Sequence, residues 1–189
     1  MLTNIQIEEL CGKMNIPLQA IVFKDQLQDT GPLQHNRAYI VNMENEIGED
    51  GKRNQGSHWV CFQKNKYPSG KTAAIYFDSY GSRPSQAVQE FLGEDPPRNT
   101  VNIQSLMNDA CGWYCCAFLH YINAYENRTG NIYTDAEAFI NMFHDLEKEY
   151  DFKYNEYVLK HFFQSADPSL RKPITVREDN ININSIVSW

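Results

Sequence analysis

Apolar residues recur along this chain with two different periods, and the switches between them divide it into elements. Thr3 and Gln6 have the spacing of a capping box, and Ile7, Leu10, Cys11 and Met14 then fall on one helical face. That spacing predicts a helix, weakened at Gly12 and ended by Pro17. Residues 28–35 read as loop, and residues 37–43, around Ala38-Tyr39-Ile40-Val41, as a buried strand. The polar, glycine-containing stretch 44–56 reads as a loop or hairpin connection. His58-Trp59-Val60-Cys61-Phe62 and Ala73-Ala74-Ile75-Tyr76-Phe77-Asp78 read as strands. The turn Tyr67-Pro68-Ser69-Gly70-Lys71 between them predicts an antiparallel hairpin. Residues 86–92 predict a short helix, stopped by Asp95-Pro96-Pro97, and the alternation at 101–104 predicts another short strand.

The second half is helical. Cys115, Phe118, Leu119 and Ile122 share one face, and Trp113, Cys116 and Ala117 fill most of the rest. A helix that is apolar nearly all round belongs inside a core. Amphipathic helices are expected at 135–149 and 155–164, the second ended by Asp167-Pro168. The expected fold class is therefore α+β: a central mixed β-sheet flanked by helices around a buried central helix. Residues 1–170 form a single domain in this reading, and the polar, Asn-rich residues 171–189 a C-terminal tail.

Charge and cysteine usage narrow the classes. The 189-residue chain has 17 basic and 24 acidic residues, a net charge of −7, which argues against a general nucleic-acid coat. The start Met1-Leu2-Thr3-Asn4 has neither the basic cluster nor the apolar stretch of a secretory signal, and no apolar run approaches the ~18 residues of a membrane span. The five cysteines, Cys11, Cys61, Cys111, Cys115 and Cys116, are an odd set without C-x-x-C spacing. Reduced thiols are expected rather than a disulfide framework, and the ligand spacing does not favour zinc.

Chemistry concentrates at Asp109-Ala110-Cys111-Gly112-Trp113, where a loop becomes the buried helix. A thiol at a helix N-terminus has a stabilised thiolate, and Gly112 would let a substrate backbone approach closely. The other reading of Cys111 is one more core thiol. His58, after a glycine-containing loop, is a candidate base, or else a surface or capping histidine. Asp78 ends the partner strand of the hairpin, so it can meet His58 across the ladder, or else cap the turn Ser79–Gly81. Gln104 is a candidate oxyanion donor beside the Cys111 N–H, or else an ordinary exposed glutamine. Each residue alone is weak evidence; the ordered set His58, Asp78, Gln104, Cys111 is stronger.

On these residues the chain resembles the adenovirus-type (adenain-like) maturation cysteine proteases, as found in virophages and related DNA viruses. More broadly it is similar to the group that includes poxvirus, asfarvirus and SUMO-specific proteases. The match is carried by His58-Trp59, Asp78, Gln104 and Cys111-Gly112, and by the run Ala110-Cys111-Gly112-Trp113-Tyr114-Cys115-Cys116-Ala117-Phe118-Leu119-His120; it spans roughly residues 1–125. Papain-like enzymes have the opposite order, Cys before His. The resemblance implies Cys111 as nucleophile, His58 as general base, Asp78 as its orienter and Gln104 in the oxyanion hole, with Trp59 and Gly112 contacting substrate. It implies a cysteine endopeptidase that cuts viral capsid precursors at glycine-containing sites during virion maturation, in the virion and in the host cytoplasm or viral factory. Two alternatives are an isopeptidase acting on ubiquitin or a ubiquitin-like modifier, and a non-enzymatic capsid-associated module. No cofactor is expected. Residues 98–101 lack the cysteine that tethers an activating peptide in the adenovirus enzyme, and the negative charge disfavours DNA as an activator, which leaves any activator unidentified.

Overall fold

The computed structural model describes residues 1–166, so Asp167-Pro168 and the tail expected at 171–189 lie outside the described residues. The elements run α1 (Asn4–Lys13), β1 (Leu18–Phe23), a 3₁₀ segment (Lys24–Thr30), β2 (Ala38–Asn42), β3 (Trp59–Lys66), β4 (Thr72–Phe77), α2 (Gln86–Leu92), α3 (Cys111–Asn123), α4 (Ile132–Ile140) and α5 (Phe152–Ala166). The four strands form one mixed sheet in the order β1-β2-β3-β4, with β1 parallel to β2 and the other pairs antiparallel. The fold class is α+β. No helix among the described residues is long and apolar enough to cross a membrane.

Both faces of the sheet are covered, which is why its strands read as nearly continuous apolar runs. Ala38, Ile40, Cys61, Ile75 and Phe77 point to the face that packs on α1, α3, α4 and α5. The alternate residues Tyr39, Val41, Val60, Phe62, Ala74 and Tyr76 meet Leu27 of the 3₁₀ segment and Val88 and Leu92 of α2. On the first face α3 is buried from Cys111 through Ile122. Phe77 stacks on Phe118 with ring centroids 4.5 Å apart, and Phe139 of α4 closes on both edge-on at 5.8 and 5.5 Å. At α1 the capping box forms as expected: Thr3 and Gln6 exchange bonds between side chain and backbone N–H, and Ile7, Leu10 and Cys11 are buried.

Four expectations are corrected. Leu18–Phe23, which the sequence reading passed over, is the edge strand β1, and its parallel pairing with β2 needs a partner distant in sequence. Residues 28–30, expected as loop, end the 3₁₀ segment. Residues 101–104 are not a strand. The Ile103 and Gln104 N–H groups donate to the Ser79 carbonyl, the Leu146 N–H donates to the Asn102 carbonyl, and the Asn155 side chain donates to the Ile103 carbonyl. The alternation there reflects inward Ile103, not a ladder. The helix expected at 135–149 is shorter and earlier. Asn131 caps it by accepting the Tyr133 and Thr134 N–H groups, and it ends at Ile140, after which the Asn155 side chain takes the His144 N–H. Phe143 and Leu146 are still buried, but they are carried on turns.

Replacing Phe118 by Ala should destabilise the fold by about 3–5 kcal/mol, because its contacts with Phe77 and Phe139 would give way to a cavity. Thr3→Ala, which removes one cap, should cost about 1 kcal/mol. Urea unfolding of the two variants checks both values, and near-equal losses would contradict this division of the core.

Candidate active site

The antiparallel register brings the first candidates together. Cys61 of β3 lies opposite Phe77 of β4, so the residues just before β3 and just after β4 end up side by side. The His58 Nε2 is 2.8 Å from the Asp78 Oδ1, and Asp78 is 2% exposed. Asp78 also accepts the Tyr80 N–H at 2.8 Å on the same oxygen. The two sequence readings of Asp78, histidine partner and turn cap, are therefore both realised. Asn99 clamps its backbone, accepting the Asp78 N–H and donating to the Asp78 carbonyl.

Cys111 opens α3. Its Sγ lies 3.4 Å from the Trp59 backbone nitrogen, whose N–H donates to it. The N-cap residue, Ala110, offers no side-chain acceptor to the first turn of α3, so the partial positive charge of that helix end stays beside the sulfur. With its Nε2 held by Asp78, His58 keeps its other nitrogen, Nδ1, buried. That buried Nδ1 has no hydrogen-bond partner in this geometry, while Cys111 acts on the ring electrostatically. Burial by itself would lower the His58 pKa. The Asp78 hydrogen bond, the interaction with Cys111 and the charges of both outweigh it and raise the pKa to about 9.

Gln104 is buried rather than exposed. Its Oε1 accepts the Ser79 hydroxyl at 2.6 Å, and the Asn108 carbonyl at the other end, which can only accept, fixes which end of the amide is which. Its Nε2 donates to the Asn108 carbonyl at 2.9 Å and to the Tyr80 hydroxyl at 3.2 Å. Asn108 is the pivot of this loop. Its Oδ1 accepts the Ala110 N–H just before Cys111, and its Nδ2 donates to Glu156 of α5 at 2.6 Å. Burial raises the Glu156 pKa, with the Asn108 bond and the Lys153 charge opposing the rise.

Trp59 is buried, with its Nε1 donating to the Leu2 carbonyl at 3.0 Å. With Leu2, Ile21, Phe23 and Gly56 it walls a cleft of about 590 Å³, which Cys111 itself does not line. Gly112 departs from expectation. A Cβ there would lie 3.3 Å from Leu2 and 3.4 Å from Ile7. Its missing side chain thus lets the N-terminal segment close on α3 and leaves no space for a substrate backbone on that side. His58 meets Asp78 directly, Cys111 is tied to the next residue along by the Trp59 N–H, and Gln104 joins them through Tyr80 and the loop that leads to Cys111. Sequence reasoning missed Tyr80, Ser79, Asn99, Asn108 and Glu156. Ser79 and Tyr80 follow Asp78 directly, which was the one available signal; the others are joined only by the fold.

No protein-family model matches the chain, and no curated protein matches it. Among solved structures it is similar to the crystal structure of the ASFV pS273R protease, with 16% identity over 82% of this chain and 67% of that one and a TM-score of 0.44. A likeness that distant carries nothing over to the chemistry of this chain.

Because the folded His58 pKa lies above the unfolded value, the stabilisation it provides is complete below about pH 6.5 and disappears as pH rises through about 9. Wild type should lose about 2–3 kcal/mol between pH 6.5 and 10 relative to His58→Gln, measured by urea unfolding at each pH. Parallel pH profiles for the two proteins would refute the raised pKa.

Proposed function

We propose that this chain is a cysteine endopeptidase, with Cys111 as nucleophile and His58 as acid and base. The observation that carries this reading is the His58–Asp78 bond of 2.8 Å, set beside a thiol that receives the Trp59 N–H at a helix start. A histidine raised to about 9 is protonated at neutral pH, which suits an imidazolium paired with a thiolate. The thiolate attacks the scissile carbonyl carbon; a C–S bond forms, and the carbonyl π pair moves to oxygen. Collapse breaks the C–N bond, and the leaving amine takes the His58 proton. Neutral His58 then removes a proton from water, the hydroxide attacks the thioester, and the C–S bond breaks to return the thiolate. Asp78 holds the ring through Nε2, which leaves Nδ1 to carry the proton in each step. The resemblance in sequence extends the proposal to glycine-containing sites in viral capsid precursors, cut in the virion and in the host cytoplasm or viral factory.

The test compares wild type with Cys111→Ala on short fluorogenic peptides with glycine flanking the cut and, in parallel, on ubiquitin-like proteins carrying a C-terminal reporter. Peptide cleavage that falls at least ~10³-fold in the variant is expected. Cleavage of the folded reporters alone would move the function to deconjugation. Equal activity in both proteins, or none together with an unreactive Cys111, would remove the protease reading.

A further inference from the structure

Gln104 is an obvious donor for a developing oxyanion, yet its amide is fully occupied. The oxygen takes the Ser79 hydroxyl, and the two N–H groups of Nε2 point to the Asn108 carbonyl and the Tyr80 hydroxyl. The Tyr80 oxygen is different. It accepts from Gln104, and its own proton has no acceptor among the described residues. The ring is placed as firmly as the triad. It stacks on the His58 imidazole with centroids 4.7 Å apart at 26°, and the Tyr80 backbone N–H donates to the same Asp78 oxygen that holds His58. It is only partly buried, so it borders the open side of the site.

We propose that the Tyr80 hydroxyl is a further catalytic residue: it donates its free proton to the oxyanion formed on attack by Cys111, and Gln104 is the group that aims it. This inference rests on the protease reading above. A hydroxyl that accepts a bond from an amide becomes a better donor itself, because each bond polarises the next. The donation needs no rearrangement of the Gln104 amide, which can keep its bonds to Ser79 and Asn108 while the oxyanion forms. No proton is transferred in the step; the oxyanion accepts a hydrogen bond and gives it up when the intermediate collapses. Burial, with the negative charges of Cys111, Asp78 and Asp109, raises the Tyr80 pKa, so the phenol stays protonated and able to donate when the site carries a thiolate.

Tyr80→Phe tests this, because phenylalanine keeps the stacking on His58 and removes only the hydroxyl. Two reactions of Cys111 separate the roles. Alkylation by iodoacetamide builds no oxyanion, so its rate should match wild type. Binding of a short peptide aldehyde ending in glycinal forms a tetrahedral adduct at sulfur, so its affinity should fall together with kcat for peptide hydrolysis, each by about 10²-fold, with KM little changed. Gln104→Ala should lower the same two quantities, and the double variant should lose little more than either single one. Unchanged aldehyde affinity and kcat in Tyr80→Phe, with Cys111 still rapidly alkylated, would overturn this inference alone. An equal drop in alkylation would also overturn it, by placing the hydroxyl's effect on the thiolate. A wild-type Cys111 no more reactive than a free thiol would instead overturn the protease reading, and this one with it.

Discussion

The complete burial of α3 is the constraint on which the rest depends. A helix that is apolar on every side can be satisfied only by walls on every side, and here the sheet, α1, α4 and α5 provide them. That packing leaves α3 no freedom to slide or rotate, because each shift would uncover aromatic surface or overlap it. The helix start is therefore fixed relative to the sheet, and with it the position of Cys111. Gly112 belongs to the same constraint, since a Cβ there would press on Leu2 and Ile7 where they close over the first turn.

Around that fixed point the polar groups form one connected set. β3 and β4 deliver His58 and Asp78 to one end of the hairpin. The turn after β4 delivers Ser79 and Tyr80, which hold the Gln104 amide. Asn108 then joins that loop to Ala110 on one side and to Glu156 on the other. Thus α5, whose own sequence suggests only an amphipathic packing helix, braces the segment between Gln104 and Cys111. Buried polar groups of this kind tolerate little disorder, because any group left unpaired would bear a desolvation penalty of about 1–3 kcal/mol.

The elements with strong local signals were legible. The capping box at Thr3, the hairpin around Tyr67–Lys71, the short helix at Gln86–Leu92 and the apolar helix after Ala110 all depend on neighbours within a few residues. Apart from the local 3₁₀ turn at residues 28–30, the misses share one cause. β1 exists because a parallel partner lies across a crossover, residues 101–104 look strand-like because Ile103 faces inward, and beyond the end of α4 at Ile140 the chain is held by Asn155, which takes the His144 N–H. In each case a distant group decides where the backbone hydrogen bonds go.

The same division runs through the site. The chemical types and the order of the candidates His58, Asp78, Gln104 and Cys111 were legible along the chain, because the roles proposed for them each need a particular side chain. The hairpin also allowed His58 and Asp78 to be neighbours, because it pairs residues by counting from its turn, and the structure brings them together. Only the tertiary structure decided that Gln104 is buried with its amide committed, that Tyr80 lies on the His58 ring with a proton to spare, and that Gly112 faces Leu2. Those facts depend on which surfaces meet when the sheet, α3 and α5 pack together, and no spacing along the chain encodes that meeting.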